Sequence, residues 1–377
     1  MDYASITPAD RRVLRAMEKY SSADFANPSA LYKEGLLAKD ILNESREKIS
    51  GILNCRKDEV VFTKSGTEAN NLALLGVFEH YRTKNFTPHF VTTVIEHSSI
   101  LEVCKEIERR GGEVTYIPVS EDGIVNLKDI ISAVKDNTVL VSIMYANNEI
   151  GTVQPIKEIS RAIRNWRHKK NTELPYFHTD SCQAVSYLTI DVLKLGVDLM
   201  TLDGIKMYGP RGTGLLYIKS NVKINPVIFG GGQEKGLRSG TENIPSIAGF
   251  ALALEITEGM KEKESRRLAL LRDYAIEQIS KNFPKAILNG SKDSRLPNNV
   301  NFCFPELDAE FAVISLDVLG ISASYSSSCR TLKENSFSYV VESLGKKNCS
   351  ESSLRFTLGR ESKKSDIDAL VIALKKL

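Results

Sequence analysis

Residues 138–179 read TVLVSIMYANNEIGTVQPIKEISRAIRNWRHKKNTELPYFHT, and this stretch determines the expected fold. Its two ends, residues 138–146 and 175–179, are short runs of β-branched, aromatic and other apolar residues that are typical of buried strands. Between them, a proline suited to a helical first turn precedes apolar residues at helical spacing, namely Ile156, Ile159, Ile163 and Trp166. A strand, a helix and another strand in this order predict a largely parallel sheet covered by helices.

The same alternation continues on both sides of this stretch. Five more strand patterns lie at residues 59–63, 89–95, 113–119, 197–202 and 213–218. A glycine-rich loop at 229–245 and a long helical stretch follow. After them the regular alternation of strand and helix ends, and strand-like segments and another helix come next. We therefore predict an α/β protein whose large domain has a mainly parallel seven-stranded sheet, with a smaller α+β domain toward the C-terminus.

Composition narrows the possible functions. The chain has 377 residues, enough for two or three domains, and a net charge of +3 from 50 basic and 47 acidic residues. Charge this near balance argues against a nucleic-acid partner, and no apolar run reaches the roughly 18 residues of a membrane span. The polar start of the sequence predicts a cytoplasmic protein. Six scattered cysteines without a C-x-x-C pair predict free thiols and no metal site.

The segment FTKSGTEANN, residues 62–71, leaves a predicted strand and enters a predicted helix. Ser65 with Glu68 fits a capping box, and Gly66 allows a tight turn between the two elements. A well-capped helix is one interpretation. The other is a seat for a phosphate group, because a helix N-terminus attracts anions and Thr67 adds a hydroxyl group.

Two further strand ends carry residues with chemical potential. Lys206 follows an apolar strand, where its apolar neighbours would lower the pKa of its amine, although most lysines are solvated surface charges. Asp180 follows another strand, where an acid often caps the next helix. Enzymes that use pyridoxal 5'-phosphate (PLP) need a reactive lysine, a carboxylate at the ring nitrogen and a phosphate seat, and this sheet would supply all three.

Eight motifs in order resemble the cysteine desulfurases of the class V aminotransferase family. They are NPSALYKEG, FTKSGTEANN, VIEHSSI, YANNEIGTVQPI, HTDSCQAV, LDGIKMYGPRGTGLLYI, GGGQEKGLRSGTEN and SSLRFTLGR, and the match spans essentially the whole chain. The resemblance implies a PLP-dependent transferase of fold type I. It also implies a homodimer with shared active sites, a large cofactor domain at 14–250, and a small domain made of residues 1–13 and 251–377.

The resemblance also assigns roles to the cofactor-binding residues. Lys206 would hold the cofactor covalently, Asp180 would pair with its ring nitrogen, and Gln183 would bond its phenolic oxygen. His97 would stack on the ring. Thr67 in the turn with Gly66 would hold the phosphate, with Thr241 reaching it from the partner subunit.

The reaction implied is conversion of L-cysteine to L-alanine, with the sulfur passed to an enzyme cysteine as a persulfide, for iron-sulfur cluster assembly or tRNA thiolation. Asn147 and Arg355 would bind the substrate carboxylate, for which a planar guanidinium is well shaped. A sulfur-acceptor protein is an expected partner. Two alternatives remain: another PLP lyase or transaminase, such as a selenocysteine lyase, and a catalytically silent scaffold of a sulfur relay.

The sequence departs from the family pattern at two places. An alignment from the upstream side puts Ser327 at the position of the nucleophilic cysteine, whereas counting back from the downstream side brings Cys329 within one residue of it. We favour Cys329 as the sulfur acceptor, with Arg330 beside it to stabilise a thiolate. Beside the lysine, Asp203 and Ile205 replace a serine and a histidine that contact the phosphate in the family, and a carboxylate there would repel that anion.

Overall fold

The structure is a computed structural model that describes residues 1–22, 25–325 and 337–377. The segment with Ser327, Cys329 and Arg330 lies outside these ranges. The helices are α1 (Arg11–Ser22), α2 (Lys33–Leu53), α3 (Gly66–Tyr81), α4 (Ser98–Arg109), α5 (Leu127–Ala133), α6 (Ile156–Lys170), α7 (Val192–Leu195), α8 (Ile244–Asn282), α9 (Ala309–Val318), α10 (Tyr339–Ser343) and α11 (Lys364–Leu374). The strands are β1 (Val60–Thr63), β2 (His89–Thr93), β3 (Glu113–Ile117), β4 (Thr138–Ser142), β5 (Tyr176–Asp180), β6 (Leu199–Asp203), β7 (Gly214–Ile218), β8 (Ile287–Leu288), β9 (Asn299–Cys303) and β10 (Ser353–Thr357).

The large sheet has seven strands in the order β1-β7-β6-β5-β4-β2-β3. The pairs from β6 to β3 along this order are parallel, and β7 runs antiparallel to both of its neighbours. Each of the seven strands lies where the sequence predicted one. The prediction of a mainly parallel seven-stranded sheet is therefore confirmed.

Helices cover both faces of this sheet. Every residue of β4, β5, β6 and β7 is buried, as expected for strands with helices on either side. On one face the apolar residues of α3 and α4 pack together with strand side chains such as Phe90 and Leu140. On the other face, residues of α2, α6 and α8 pack with strand side chains such as Val141 and Phe177.

The connections between strands determine where a ligand can bind. From β2 the chain adds β3 on one side, then crosses back to place β4, β5 and β6 on the other side. The connections that leave β2 and β4 therefore diverge and open a crevice at the carboxyl edge of the sheet. The loops that follow these strands carry His97 and Asn148.

A second sheet, in the order β10-β9-β8, is antiparallel and forms its own apolar core with α9, α11 and the distal part of α8. The 39 residues of α8 correspond to a rod of about 58 Å at the usual helical rise. Its first turns pack against the large sheet and its last turns against the second sheet. The predicted domain boundary at residue 250 falls within this helix, and the division at that point stays a prediction.

The expectation that all cysteines are free thiols is wrong for one pair. Cys303 and Cys349 form a disulfide between β9 and the turn that precedes β10. Because Ser353 of β10 pairs with Cys303, the chain before β10 is brought back to the end of β9, which spacing in the sequence does not reveal. Among the described residues, Cys55, Cys104 and Cys182 are free. In the same ranges, none of the helices has the length and apolar character that a membrane span requires.

Candidate active site

A cavity of about 180 Å³ opens at the carboxyl edge of the large sheet. Seven of the residues predicted to form the site line it, namely Gly66, Thr67, His97, Asp180, Gln183, Lys206 and Arg355. Six of them come from the loops and helix starts that follow the strands of the large sheet. Arg355 comes from the middle of β10, so the second sheet closes the cavity on one side.

Asp180 is the last residue of β5, and its carboxylate is held by neutral donors. The side-chain amide of Asn70 donates to Oδ2 at 2.8 Å, and the backbone N–H of Cys182 donates to Oδ1 at 3.0 Å. Within the described part of the chain, no lysine or arginine forms an ion pair with this buried carboxylate. Asp180 is therefore suited to accept a hydrogen bond from a cationic N–H group of a ligand.

His97 caps the N-terminus of α4 and lines the same cavity. Its Nδ1 accepts from the backbone N–H of Ser99 at 3.2 Å and lies 2.8 Å from the hydroxyl oxygen of Ser99. Burial lowers the pKa of His97, so the ring is neutral at physiological pH. These contacts fix a flat, uncharged ring at the cavity wall.

The amine of Lys206 is held by the beginning of the chain. Its Nζ donates to the carbonyl oxygens of Ala4 and Ser5, both at 2.7 Å. The side-chain amide of Gln183 donates to the same Ala4 carbonyl at 3.0 Å. Residues 4 and 5 therefore position two of the predicted cofactor-binding side chains.

The turn predicted to seat a phosphate lies at the start of α3. Ser65 accepts from the N–H of Glu68 at 3.2 Å and caps the helix. In a capping box the carboxylate of Glu68 would accept from the backbone N–H of Ser65. Here it accepts from the backbone N–H of the preceding residue, Lys64, at 3.1 Å. A Cβ atom on Gly66 would lie 2.7 Å from the sulfur of Cys182, so only glycine fits at this point.

One of the amides at this seat already has an anionic partner. Asp203, the last residue of β6, accepts from the N–H of Gly66 at 2.7 Å through Oδ2. Its Oδ1 accepts from the N–H of Ile205 at 3.2 Å. Burial raises the pKa of Asp203. The N–H of Gly66 is bonded to Asp203 and the N–H of Glu68 to the hydroxyl of Ser65. The N–H of Thr67 makes no hydrogen bond within the described residues, so it can bind a ligand.

Arg355 is almost completely buried, with 3% of its surface exposed, and it has one unused donor. Its Nη1 donates to the carbonyl oxygen of Asn148 at 2.8 Å. Its Nη2 donates to the carboxylate of Asp2 at 2.7 Å and to the hydroxyl of Ser5 at 2.9 Å. Within the described residues, Nε has no hydrogen-bond partner. A buried donor without a partner is costly, so this atom indicates a ligand.

Two of the predicted residues that the structure describes, Asn147 and Thr241, do not line the cavity. Asn147 is completely buried and binds backbone groups: its amide donates to Ile95, and its oxygen accepts from the N–H groups of residues 149 and 150. It therefore shapes the loop, and Asn148 lines the cavity in its place. Thr241 is exposed and lies outside this cavity. Cys329 lies outside the described residues.

Several cavity residues were missed by the sequence reasoning. Asn70 lies one turn after Gly66 on α3, so its helical spacing could have indicated that it faces the same site. Asp2, Ala4 and Ser5 carried no local signal, because their contacts join residues some 200 to 350 positions apart in the sequence.

Comparison with known proteins agrees with this geometry. Residues 1–370 match the family model described as aminotransferase class-V. The cysteine desulfurase IscS of Dictyoglomus turgidum is 38% identical over 378 residues, which cover 100% of this chain and 93% of the relative.

Two solved structures are similar over nearly their whole length. A NifS-like protein is 30% identical with a TM-score of 0.91, covering 100% of this chain and 97% of the other. The protein SspA, solved in complex with cysteine, is 31% identical with a TM-score of 0.80, covering 95% and 97%. The chain therefore belongs to the class-V aminotransferase family, among the cysteine desulfurases, and has the fold type I of PLP-dependent enzymes.

Proposed function

We propose that this protein is a PLP-dependent desulfurase that converts L-cysteine to L-alanine and passes the sulfur atom to Cys329. The observation that carries the proposal is the convergence in one cavity of Lys206, the buried carboxylate of Asp180 and the unpaired Nε of Arg355. These groups match the needs of an amino-acid substrate and an electron-accepting cofactor. The relative solved with cysteine supports the choice of substrate.

The residues present fit PLP at the ring end of the cavity. Asp180 would accept a hydrogen bond from the ring nitrogen, and His97 would cover the ring face. Gln183 would bond the phenolic oxygen, and Lys206 would hold the cofactor covalently. At the other end, the N–H and hydroxyl of Thr67 would bind the phosphate. When bound, the cofactor supplies a conjugated ring that stores the electrons released from the substrate Cα.

The side chain of Lys206 would also move the proton. Its amine would take the proton from the substrate Cα and return it to the product. The carbonyl groups of Ala4 and Ser5 would hold the resulting ammonium group. The carboxylate of Asp180, held by two neutral donors, would stabilise positive charge at the ring nitrogen.

Arg355 would bind the carboxylate of the substrate. Its unpaired Nε would donate to one oxygen of this carboxylate, while Nη2 keeps its hydrogen bonds with Asp2 and Ser5. The side-chain oxygen of Asn148 also lacks a partner within the described residues, and it would accept from the substrate amine or from a bridging water.

Described residues on both sides of Cys329 in the sequence lie next to this site, which supports its proposed role. Upstream, Ser324 exchanges two backbone hydrogen bonds with Arg355, at 3.1 and 2.6 Å. Cys329 is five positions after Ser324 in the sequence, which corresponds to a maximum span of about 18 Å. Downstream, Ser338 donates to the carboxylate of Glu149 at 2.5 Å, beside Asn148. Both ends of the segment are therefore attached next to the cavity.

The sulfur step balances without another reagent. The thiolate of Cys329 attacks the substrate sulfur, the bond between that sulfur and Cβ breaks, and the electron pair returns through the substrate to form alanine after protonation. One sulfur atom moves and Cys329 becomes a persulfide. We propose that an acceptor protein removes this sulfur, and that the setting is the cytoplasm.

We also propose a homodimer. Large apolar side chains are exposed near the start of α2 and in the glycine-rich stretch, including Leu31 at 91% and Phe229 at 81%. The ion pair of Arg46 with Glu234, at 2.7 Å, joins the later half of α2 to the glycine-rich stretch. A partner covering this surface would approach Thr241, as its predicted role in the partner's site requires.

The proposal is tested by supplying the purified enzyme with PLP, L-cysteine and a thiol reductant. We expect alanine and sulfide in equal amounts and no pyruvate, because sulfur transfer leaves the amino group on the product. Formation of pyruvate and ammonia would show that the enzyme is a lyase. Formation of a keto acid that retains the sulfur would show a transaminase. If no amino acid tested gave any product, only the scaffold alternative would remain. A much higher rate with L-selenocysteine would favour the selenocysteine lyase alternative.

Substitution of Arg355 by lysine is expected to raise KM for L-cysteine more than it lowers kcat. Lysine keeps the charge but has no donor at the position of Nε and cannot reproduce the bonds of the guanidinium to Asp2, Ser5 and Asn148, which predicts a loss of about 10- to 100-fold in kcat/KM. Steady-state kinetics measures this, with PLP binding expected to change little. Arg266→Lys, on an exposed position of α8, is the matched control. An unchanged KM in Arg355→Lys would contradict the proposed contact.

A further inference from the structure

Asp203 lies where the cofactor phosphate is expected. Its carboxylate accepts from the first amide of α3 at 2.7 Å, and 7% of the residue is exposed. The positive end of a helix dipole can stabilise one anion well, but here a protein anion already uses it. A phosphate dianion placed beside an ionised Asp203 would meet strong repulsion in a site that excludes most water.

The surrounding charges do not remove this conflict. The groups that face Asp203 are Lys206 from its own loop, Asp180 and Cys182 from the end of β5, and His97 from the start of α4. Burial keeps His97 neutral, and burial raises the pKa of Cys182, so that thiol is neutral too. The ammonium of Lys206 is shared with two carbonyl groups. Asp180 adds a second negative charge.

A proton resolves the conflict. A neutral Asp203 can keep accepting from Gly66 while its O–H donates to a phosphate oxygen, so the carboxyl group becomes part of the phosphate seat instead of its competitor. Burial and the nearby Asp180 already favour this neutral form. The aspartate at position 203, where the family has serine, would therefore make cofactor binding depend on a proton.

We propose that Asp203 and the PLP phosphate share one proton taken from solvent on binding, so that the affinity of this protein for PLP falls as pH rises. The inference depends on the proposed function in that PLP must be the ligand of this cavity. In the free protein Asp203 is a carboxylate, and in the complex it is a carboxylic acid whose pKa is raised by the phosphate. Between the two pKa values, each pH unit weakens binding by up to tenfold.

The test compares PLP with pyridoxal, which lacks the phosphate. Dissociation constants are measured by equilibrium dialysis of the cofactor-free full-length protein at pH 7 to 9, where the phosphate in solution is already a dianion. For the unchanged protein, the ratio of the PLP constant to the pyridoxal constant should rise by about tenfold per pH unit. The ratio removes pH effects of Lys206 chemistry, which both compounds share.

Two variants test whether the carboxyl group of Asp203 causes the pH dependence. Asp203→Asn is an uncharged isostere, and Asp203→Ser restores the residue common in the family. Both should bind PLP more tightly at pH 9, with a ratio that changes less than about threefold across the range. Asp191→Asn removes a carboxylate that caps α7 away from the cavity, and it should behave like the unchanged protein.

A second measurement needs no variant. In weak buffer with a pH indicator, PLP binding at pH 8 should take up about one proton more than pyridoxal binding. Equal proton uptake for the two compounds, or a flat ratio in the unchanged protein, would overturn the proposal while leaving the desulfurase function intact. Failure of PLP to bind at any pH, in the unchanged protein and in both Asp203 variants, would overturn both.

Discussion

Replacement of Lys206 by alanine should abolish alanine formation from L-cysteine, with a loss of about 10³-fold or more. The lysine would both hold the cofactor and transfer the Cα proton, and among the described residues no other lysine lines the cavity. The measurement is the rate of alanine release, together with the visible absorbance of lysine-bound PLP, which the variant should lack. Borohydride reduction of the unchanged protein, followed by peptide mapping, should place the cofactor on the peptide with residue 206.

The control for this experiment is Lys194→Ala, which changes an exposed lysine on α7. It should keep both the colour and the rate. Retention of the visible absorbance by Lys206→Ala, or a reduced cofactor mapped to another lysine, would refute the assignment of the site.

Replacement of Cys329 by alanine should remove the persulfide and nearly all alanine formation, while PLP absorbance and PLP affinity stay unchanged. The reason is that no other thiolate is available to attack the substrate sulfur: burial raises the pKa of Cys182, and Cys55 has a pKa raised to about 12. Persulfide labelling followed by mass spectrometry of the peptides measures the sulfur directly.

Two matched variants separate the possible positions. Cys55→Ser alters a half-buried thiol outside the cavity and should have no effect on turnover. Ser327→Ala tests the alternative alignment and should also be neutral, because a serine hydroxyl cannot carry the transferred sulfur. Full sulfide release by Cys329→Ala would exclude this thiol from the reaction and leave a lyase-like mechanism.

Local sequence patterns were enough to predict the large sheet, and the family resemblance supplied most of the residues predicted to form the site. Strand runs and helical spacing placed all seven strands, and strand ends pointed to Asp180 and Lys206, because parallel strands bring their carboxyl ends to one edge. The choice between Asn147 and Asn148 could not be made in this way. The two residues are adjacent in a tight loop, and only the backbone path shows which side chain turns inward.

Contacts between distant parts of the chain were equally inaccessible. The bond of Asp203 with Gly66 crosses 137 residues, and that of Arg355 with Asp2 crosses 353. The disulfide of Cys303 with Cys349 depends on strand register in the second sheet. Such contacts arise from tertiary packing, for which residue spacing carries no signal.

The position of Arg355 on β10 divides recognition between two structural units. The groups that would bind the cofactor project from the large sheet, whereas the guanidinium that would bind the amino-acid substrate projects from the small sheet. A mutation that shifts the small sheet would therefore change the affinity for the substrate first. Because Ser5 contacts both Arg355 and Lys206, part of that shift would also reach the lysine that would hold the cofactor.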